Sequence, residues 1–341
     1  MGIRPFDVRH DYPRLVELLP RFYTYPDHPE WTLQQDEAEY FRDVGAMVYH
    51  WWPLIRIAQV LMPSLGDVMR GYVWDDDGQM VGVMNYFRQG GSDRWLAGNA
   101  GVLPTYRQKG IARELATAAL ADAIRRGARV IIAEVMEGNV AVLGLAAAYG
   151  MTRFSGSVEL EHSGIEGPAT EALPDSYVAE DLDWYDWRLR YDLARRITPP
   201  DVVQFLGLSE AEFREAPFLR PLRAVARRWM GLQYAGLVVR KHGQVVGTGT
   251  RLIKTKGGGF NSIEVSVDPD HALIARYLVY RMTAGSLGRR IQLMVETWQP
   301  HVISAALALG FVQRRSVLKL GVVLQRGHDV RNADHRGSKP A

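Results

Sequence analysis

The chain has 341 residues, of which 47% are hydrophobic and 23% are charged, and its formal net charge is +3. That length is enough for two hydrophobic cores of ordinary domain size. Because the sequence contains no cysteine, disulfides, thiolate nucleophiles and cysteine-based metal sites are excluded.

The distribution of charge and hydrophobicity narrows the class of protein further. No apolar run approaches the length of a membrane span, and Arg4, Asp7 and Arg9 stand where a signal peptide would be apolar. We therefore predict a cytoplasmic protein that does not enter a membrane. The basic residues are scattered rather than clustered with aromatics, which argues against nucleic-acid binding. No spacing of His, Asp and Glu suggests a metal site, so we expect none.

The region from Phe22 to Met69 is unusually rich in aromatic residues and carries acidic residues such as Asp36 and Glu37. An aromatic wall of this kind suits a hydrophobic or cationic amine, and the carboxylates could attract an ammonium group. The alternative is that the aromatics pack the two halves of the chain together. The aromatic residues in question are Tyr23, Tyr25, Trp31, Tyr40, Tyr49, Trp51 and Trp52.

The stretch that follows Trp95 predicts a strand, an anion-binding loop and the start of a helix. The strand reaches Val102 and ends at Pro104, and an amphipathic helix opens near Lys109. The first amides of a helix have no partner inside it, and the helix dipole adds partial positive charge there. Small residues at Gly110 and Ala112 allow a phosphate to approach the backbone. The pattern therefore predicts a loop that binds a diphosphate, with Arg107 and Lys109 adding positive charge at its rim.

The residues after the loop continue an alternating pattern of helices and strands. Apolar positions recur on one side of a helix that ends near Gly127, and residues 129–136 form a short apolar run with strand character. A second helix spans 140–149, and residues 152–160 form a last strand. This order predicts an α/β (α+β) fold, a mixed sheet with helices packed on it.

A second copy of the same plan occupies the rest of the chain. Residues 78–83 (Gly-Gln-Met-Val-Gly-Val) correspond to 243–248 (Gly-Gln-Val-Val-Gly-Thr), and both copies have a later strand that ends in Val-x-Pro. After Pro269, however, the second copy has no counterpart of the Arg-x-x-Gly at residues 107–110. Asp268 and Asp270 would also repel a diphosphate there. We predict a first domain at 1–162, a linker at 163–175, a degenerate copy at 176–325 and a polar tail at 326–341.

The spacing Arg-x-x-Gly-x-Ala after a Val-x-Pro strand end resembles the pyrophosphate loop of the GNAT superfamily, the acyl-CoA-dependent N-acyltransferases. The two-copy arrangement resembles bacterial tandem GNAT proteins. The resemblance implies two tandem GNAT-like mixed sheets flanked by helices, with acetyl-CoA as cosubstrate in the first copy. It also implies a small-molecule or peptide amine as acceptor. Exposed strand edges in such folds often pair, which leaves a homodimer as an open expectation.

The resemblance assigns residues to the cofactor. The pantetheine arm would lie along the end of the first strand, the diphosphate would be held by the loop and the first turn of the helix, and a residue that opens the second helix would contact the arm. In that order these residues are Ala100, Gly101, Val102, Arg107, Gln108, Lys109, Gly110, Ile111, Ala112, Arg113 and Asn139.

Two residues are candidates for proton transfer. Glu134 interrupts the apolar run at 130–136, and a lone carboxylate in such a strand is either paired or has a raised pKa that suits a general base. Many members of the family have a tyrosine that acts as the general acid in the second helix. This chain has Ala146 at that position. Tyr149 lies nearby as a candidate acid, although a role as a core aromatic at the helix end is favoured for it. Solvent water or a tyrosine from elsewhere, such as Tyr106, Tyr86 or Tyr49, could protonate the thiolate instead.

Two other functions are kept open. Ala146 at the acid position favours a non-catalytic CoA-binding module, which would bind acetyl-CoA without transferring it. An aminoacyl-tRNA-dependent transferase on tandem GNAT domains would not need a diphosphate loop, so the intact loop argues against it.

Overall fold

The computed structural model describes residues 2–61, 69–89, 92–164, 171–183, 185–214, 220–285 and 288–324. The polar tail predicted at 326–341 lies outside the described residues, as does the middle of the predicted linker. The chain divides into two compact units. Unit 1 comprises residues 1–34, 44–154 and 318–341, and unit 2 comprises residues 35–43 and 155–317. In the part of the chain that is described, no helix is long and apolar enough to cross a membrane.

Unit 1 is built on a mixed sheet. In spatial order its strands are β1 (Gly2–Pro5), β2 (Arg70–Asp76), β3 (Gln79–Arg88), β4 (Arg94–Val102), β5 (Val130–Met136) and the C-terminal part of β12 (Val312–Val323). The pairs from β1 to β4 are antiparallel, whereas β4 and β5 are parallel. Its helices are α1 (Val8–Phe22), most of α2 (Gln35–Leu61), α3 (Ile111–Arg125) and α4 (Val140–Ala148).

Helix α3 shows how the sequence pattern becomes packing. It contacts β2, β3 and β4. Of the predicted apolar stripe of Ile111, Leu115, Ala118 and Ala119, Ala118 is half-buried and the other three are buried. The helix starts after Gly110, whose φ of 82° is one that residues with a side chain rarely adopt. It ends at Arg125, with a cation in the last turn and Gly127 just beyond. The predicted amphipathic helix is thus confirmed.

Unit 2 repeats this plan. In spatial order its strands are the N-terminal part of β12, β6 (Thr152–His162), β11 (Ile291–Glu296), β10 (Asn261–Val267), β9 (Gln244–Lys254), β8 (Leu232–Lys241) and β7 (Tyr177–Asp181). Its helices are α5 (Trp187–Ile197), α6 (Pro200–Leu206), α7 (Glu210–Phe213), α8 (Arg220–Trp229), α9 (Ala275–Thr283) and α10 (Pro300–Ala308).

The order β2-β3-β4-α3-β5-α4 in unit 1 matches β8-β9-β10-α9-β11-α10 in unit 2, and in both the third and fourth of these strands pair in parallel. The mixed α/β fold and the internal repeat predicted from the sequence are therefore present.

The last strand of each repeat departs from the predicted domain boundary. Residues 157–162 of β6 pair with β11 of unit 2, in a register from Ser157↔Glu296 to His162↔Ile291. Residues 318–323 of β12 belong instead to unit 1. The compact units therefore differ from the domains predicted at 1–162 and 176–325. The physical reason is that a strand hydrogen bonds to whichever edge accepts it, and this partner need not lie in the same repeat.

Candidate functional site

The loop between β4 and α3 is shaped by one 3₁₀ turn and two residues with positive φ. The turn at Pro104–Tyr106 is closed by the amide of Tyr106, which donates to the carbonyl of Leu103 at 2.8 Å. Gln108 then has a φ of 62° and Gly110 a φ of 82°. A Cβ built on Gly110 would have no atom within 4 Å, so the space beside it is open.

This loop leaves a run of backbone amides without acceptors. The first hydrogen bond within α3 is made by the amide of Glu114 to the carbonyl of Gly110, at 3.1 Å. Among the described residues, none accepts a hydrogen bond from the amides of residues 108–113. We call these amides the amide cradle. Together with the helix dipole, they make the start of α3 attractive to an anion.

The two cations predicted at the rim have different roles. The Arg107 guanidinium donates to the carbonyl of Val102 through Nε, at 3.1 Å, and to that of Phe22 through Nη2, at 3.0 Å. It is therefore turned towards two backbone carbonyls, and the prediction that its charge stands at the rim is corrected. Lys109 is exposed, with its Nζ 4.8 Å from the ring centroid of Tyr106.

The strands β4 and β5 diverge towards the same loop. Their parallel register runs from Arg94↔Val130 to Ala97↔Ala133 and stops there. Ala100, Gly101 and Val102 still pair with β3 on the other side. Residues 98–102 of β4 and 134–136 of β5 are therefore not paired with each other, and we call the space between them the gap. The strand register places the three residues predicted to follow the pantetheine arm along this gap.

Glu134 is the first residue of β5 beyond the last pair, so it lies where the gap begins. Its side chain is 50% exposed, and Oε1 is 3.7 Å from Nζ of Lys319, which is 10% exposed. Of the two alternatives for this carboxylate, the structure shows the paired one. Neighbouring strand residues point to opposite faces, so Glu134 faces away from the side to which Ala133 points.

Asn139 and Tyr25 meet at the open end of the gap. The Oδ1 of Asn139 accepts the amide of Val142 at 3.2 Å and so caps α4. The hydroxyl of Tyr25 hydrogen bonds to Asn139, and the guanidinium carbon of Arg107 lies 5.3 Å from its ring centroid. Burial raises the pKa of Tyr25 above its ordinary value, although the Arg107 charge and the Asn139 hydrogen bond oppose this effect. This role of Tyr25 could not be predicted from the sequence, because no local pattern links it to partners so distant in the chain.

Tyr149 does not face the gap with a free hydroxyl. Its OH donates to the carbonyl of Arg113 at 3.0 Å and is 2.7 Å from Oγ1 of Thr117, so it connects the end of α4 to the first turns of α3. These contacts favour the packing role over proton donation. The hydroxyls of Tyr86 and Tyr106 are also engaged, with Asp122 and Asp76 respectively.

Two acidic residues of the aromatic region, Asp36 and Glu37, are paired with arginines. Asp36 accepts from Arg290 at 2.8 Å through Nε, and Glu37 accepts from Arg314 at 2.8 Å through Nη1, all within unit 2. The expectation that Asp36 and Glu37 attract a substrate ammonium is therefore corrected. Among the described aromatic residues of this region, Phe22 lies against the Cβ position of Gly101, Tyr25 lies beside Arg107, and Trp31 lies 3.4 Å from the Cβ position of Gly138.

The corresponding strand end in unit 2 is occupied by side chains. The amide of Val267 donates to Oε1 of Gln299 at 3.1 Å, and its carbonyl contacts Nε2 of His301 at 3.1 Å. The carboxylate of Asp268 accepts the amide of Asp270 at 3.1 Å and the Nε of Arg196 at 2.9 Å. The backbone amide and carbonyl of Val267, which corresponds to Val102 in unit 1, are thus bonded to side chains here, which fits the expected degeneration of the second copy.

Comparison with known proteins finds a family model that matches the part of the chain with this geometry. Residues 13–151 match the model of the acetyltransferase (GNAT) family. The comparison with curated proteins gives no match.

The solved structures with a similar fold include a tandem GNAT protein from the clavulanic acid biosynthesis pathway. It is 14% identical with a TM-score of 0.57, covering 94% of this chain and 98% of its own. A GCN5-related N-acetyltransferase from Sphaerobacter thermophilus is 16% identical with a TM-score of 0.62, and the match covers 96% of this chain and 97% of that one. A putative acetyltransferase from Pyrococcus horikoshii is 14% identical with a TM-score of 0.55, and the match covers 97% of this chain and 92% of that one. At these identities the likeness shows the fold alone.

Proposed function

We propose that the protein is an N-acetyltransferase that uses acetyl-CoA and an amine acceptor, because residues 13–151 match the model of the acetyltransferase (GNAT) family. The observation that carries the proposal is the amide cradle at residues 108–113. Unpaired amides at a helix start suit the diphosphate of CoA, and the gap beside them suits the pantetheine arm. The match of the family model covers both features.

The reaction follows from these positions. With the diphosphate at Gly110, the arm runs back along Val102, Gly101 and Ala100 and brings the thioester towards the narrow end of the gap. An amine attacks the carbonyl carbon, so that a C–N bond forms and the C–S bond breaks. A backbone amide of β4 stabilises the oxyanion.

Glu134 is the proposed general base. It lies at the narrow end of the gap, is half-exposed, and can take the proton that the amine loses. Lys319 lies beside the carboxylate, with its Nζ 3.7 Å from Oε1. Because the hydroxyls of Tyr86 and Tyr149 are bonded elsewhere, the leaving thiolate takes its proton from solvent.

The test adds one negative charge at the amide cradle. Ala112→Glu changes an exposed residue in the first turn of α3, where a carboxylate is compatible with the helix dipole. Repulsion of the diphosphate should weaken acetyl-CoA binding by at least about tenfold in titration calorimetry. Leu273→Glu adds the same charge to the exposed loop before α9 and should leave binding unchanged.

Two outcomes would overturn the proposal. Loss of binding with Leu273→Glu rather than Ala112→Glu would move the site to unit 2. Acetyl-CoA binding without acetylation of any amine in a broad panel, followed by mass spectrometry, would favour a non-catalytic CoA-binding module. This second function is supported by Ala146, which occupies the position where a tyrosine general acid is common in the resembled family.

A further inference from the structure

Unit 1 contains a partly open apolar cavity of about 90 Å³ lined by α3, α4 and the sheet strands β3, β4, β5 and β12. The polar groups of its two tyrosines are bonded elsewhere, Tyr86 to Asp122 and Tyr149 to Arg113. The remaining wall is formed by aliphatic carbon, Trp95 and two methionines. A cavity with such a lining favours an apolar occupant over water.

The cavity begins where the gap closes. Ala97 and Ala133 form the last pair before β4 and β5 diverge, and both line the cavity. Val135, which lies within the gap on the same face as Ala133, lines it too. The gap along residues 98–102 is roughly 15 Å long, which is of the order of an extended pantetheine arm. An acyl group on the thiol therefore arrives at the mouth of the cavity.

Small side chains create the space. Helix α3 presents the buried Ala116, Ala119 and Ala123 to it, and α4 presents Ala146. Alanine at these positions leaves room that leucine or valine would fill. The room is several times what one water needs and less than the cavity of about 150 Å³ that holds benzene, so it corresponds to on the order of three or four carbon atoms.

We propose that the cavity is an acyl-chain site and that the preferred donor is a CoA thioester of an unbranched apolar acid longer than acetate. The inference rests on the proposed function, since it needs CoA at the amide cradle. The chain lies on the α3 and α4 side of the sheet, whereas Glu134 faces the other side, so a longer acyl group does not occupy the space in front of the base.

The test is a calorimetric series with free CoA and the acetyl, propionyl, butyryl, pentanoyl and octanoyl thioesters. Affinity should rise about fourfold with each methylene up to butyryl or pentanoyl and should stop rising at octanoyl. Ala119→Leu should remove this gain while the affinity for free CoA stays unchanged. Ala118→Leu, on the same helix but outside the cavity lining, is the matched control and should retain the gain.

Should Ala119→Leu fail to fold, Ala146→Leu fills the cavity from α4 and serves the same purpose. Equal affinity for all the thioesters would overturn the inference while leaving the proposed function intact. Loss of free CoA binding in Ala119→Leu but not in Ala118→Leu would also overturn it, because the cavity would then belong to the arm itself. Failure of free CoA to bind the unmodified protein would instead overturn the proposed function.

Discussion

The Arg107 guanidinium joins the end of β4 to the end of α1: its Nη2 donates to the carbonyl of Phe22 at 3.0 Å, across 85 positions of the chain. The same side chain holds the carbonyl of Val102 and stacks on Tyr25. The loop that forms the amide cradle is therefore anchored by the side chain of Arg107.

Replacing this anchor should cost stability. Arg107→Ala removes two charge-assisted hydrogen bonds and a cation–π contact, so the free energy of unfolding should fall by about 2 kcal/mol in urea denaturation. Lys109→Ala, which removes an exposed cation from the same loop, should change it by less than about 0.5 kcal/mol. Equal effects of the two substitutions would contradict the anchoring role.

Glu134→Gln tests the proposed base. The amide has nearly the shape of the carboxylate but cannot accept the amine proton, so turnover should fall by about 10²- to 10⁴-fold. The affinity for the acyl-CoA donor should change little, because the side chain is directed to the acceptor side. Glu137→Gln alters an exposed glutamate just beyond β5 and serves as the control. A parallel loss in both variants, or none in Glu134→Gln, would refute the assignment.

Alkaline pH should weaken unit 1 through Tyr86. Burial, followed by the hydrogen bond to Asp122, raises the pKa of Tyr86 above its ordinary value of 10.0. The folded protein thus keeps a proton that the unfolded chain releases above pH 10, and stability falls as the pH rises. The slope contributed by this group is at most about 1.4 kcal/mol per pH unit.

The check is denaturant unfolding between pH 8 and pH 11.5. Tyr86→Phe should be less stable at pH 8, because the buried Asp122 loses a donor, but its stability should decline less steeply above pH 10. Identical slopes for the two proteins would show that another group governs the alkaline transition.

Unit 2 depends on a buried carboxylate. Glu159 is fully buried and accepts hydrogen bonds from Gln292 at 2.7 Å, from Arg314 at 3.1 Å and from Arg315. Glu159→Gln removes its charge and leaves the two guanidinium groups with fewer acceptors, so the free energy of unfolding should fall by about 3 kcal/mol or more.

The matched substitution is Glu180→Gln, which breaks an exposed ion pair with Arg240 and should cost about 1 kcal/mol or less. Thermal or urea unfolding of both variants gives the comparison. A cost for Glu159→Gln no greater than that for Glu180→Gln would mean that the network contributes no more than a surface pair.

Much of the fold near the site could be predicted because its signals are local. The Gly at position 110, the apolar stripe of α3 and the short strand at 130–136 are patterns within a few residues, and the structure has all three elements. The cytoplasmic location, the homodimer and the absence of a metal cofactor stay predictions.

The side-chain roles at the site were harder to predict, since they depend on partners from distant segments. Arg107 was expected at the rim because its neighbours in sequence suggested it, yet its hydrogen bonds go to Phe22 and Val102. Tyr149 was chosen as a candidate acid from its position along α4, but its hydroxyl donates to the carbonyl of Arg113 in α3. Spacing within an element gives the face on which a residue lies but not what covers that face.

By itself the sequence determined the order of strands and helices, the repeat of that order, and the loop at Gly110. In that loop a positive φ and a helix start leave amides unpaired. Short-range sterics and periodicity govern all of these features. Only the tertiary structure decided that β6 pairs with β11, that Lys319 reaches Glu134, and that alanines on α3 and α4 leave an apolar cavity at the end of the gap. Each of these depends on which surfaces meet when the hydrophobic core is buried, and that is a property of the whole chain.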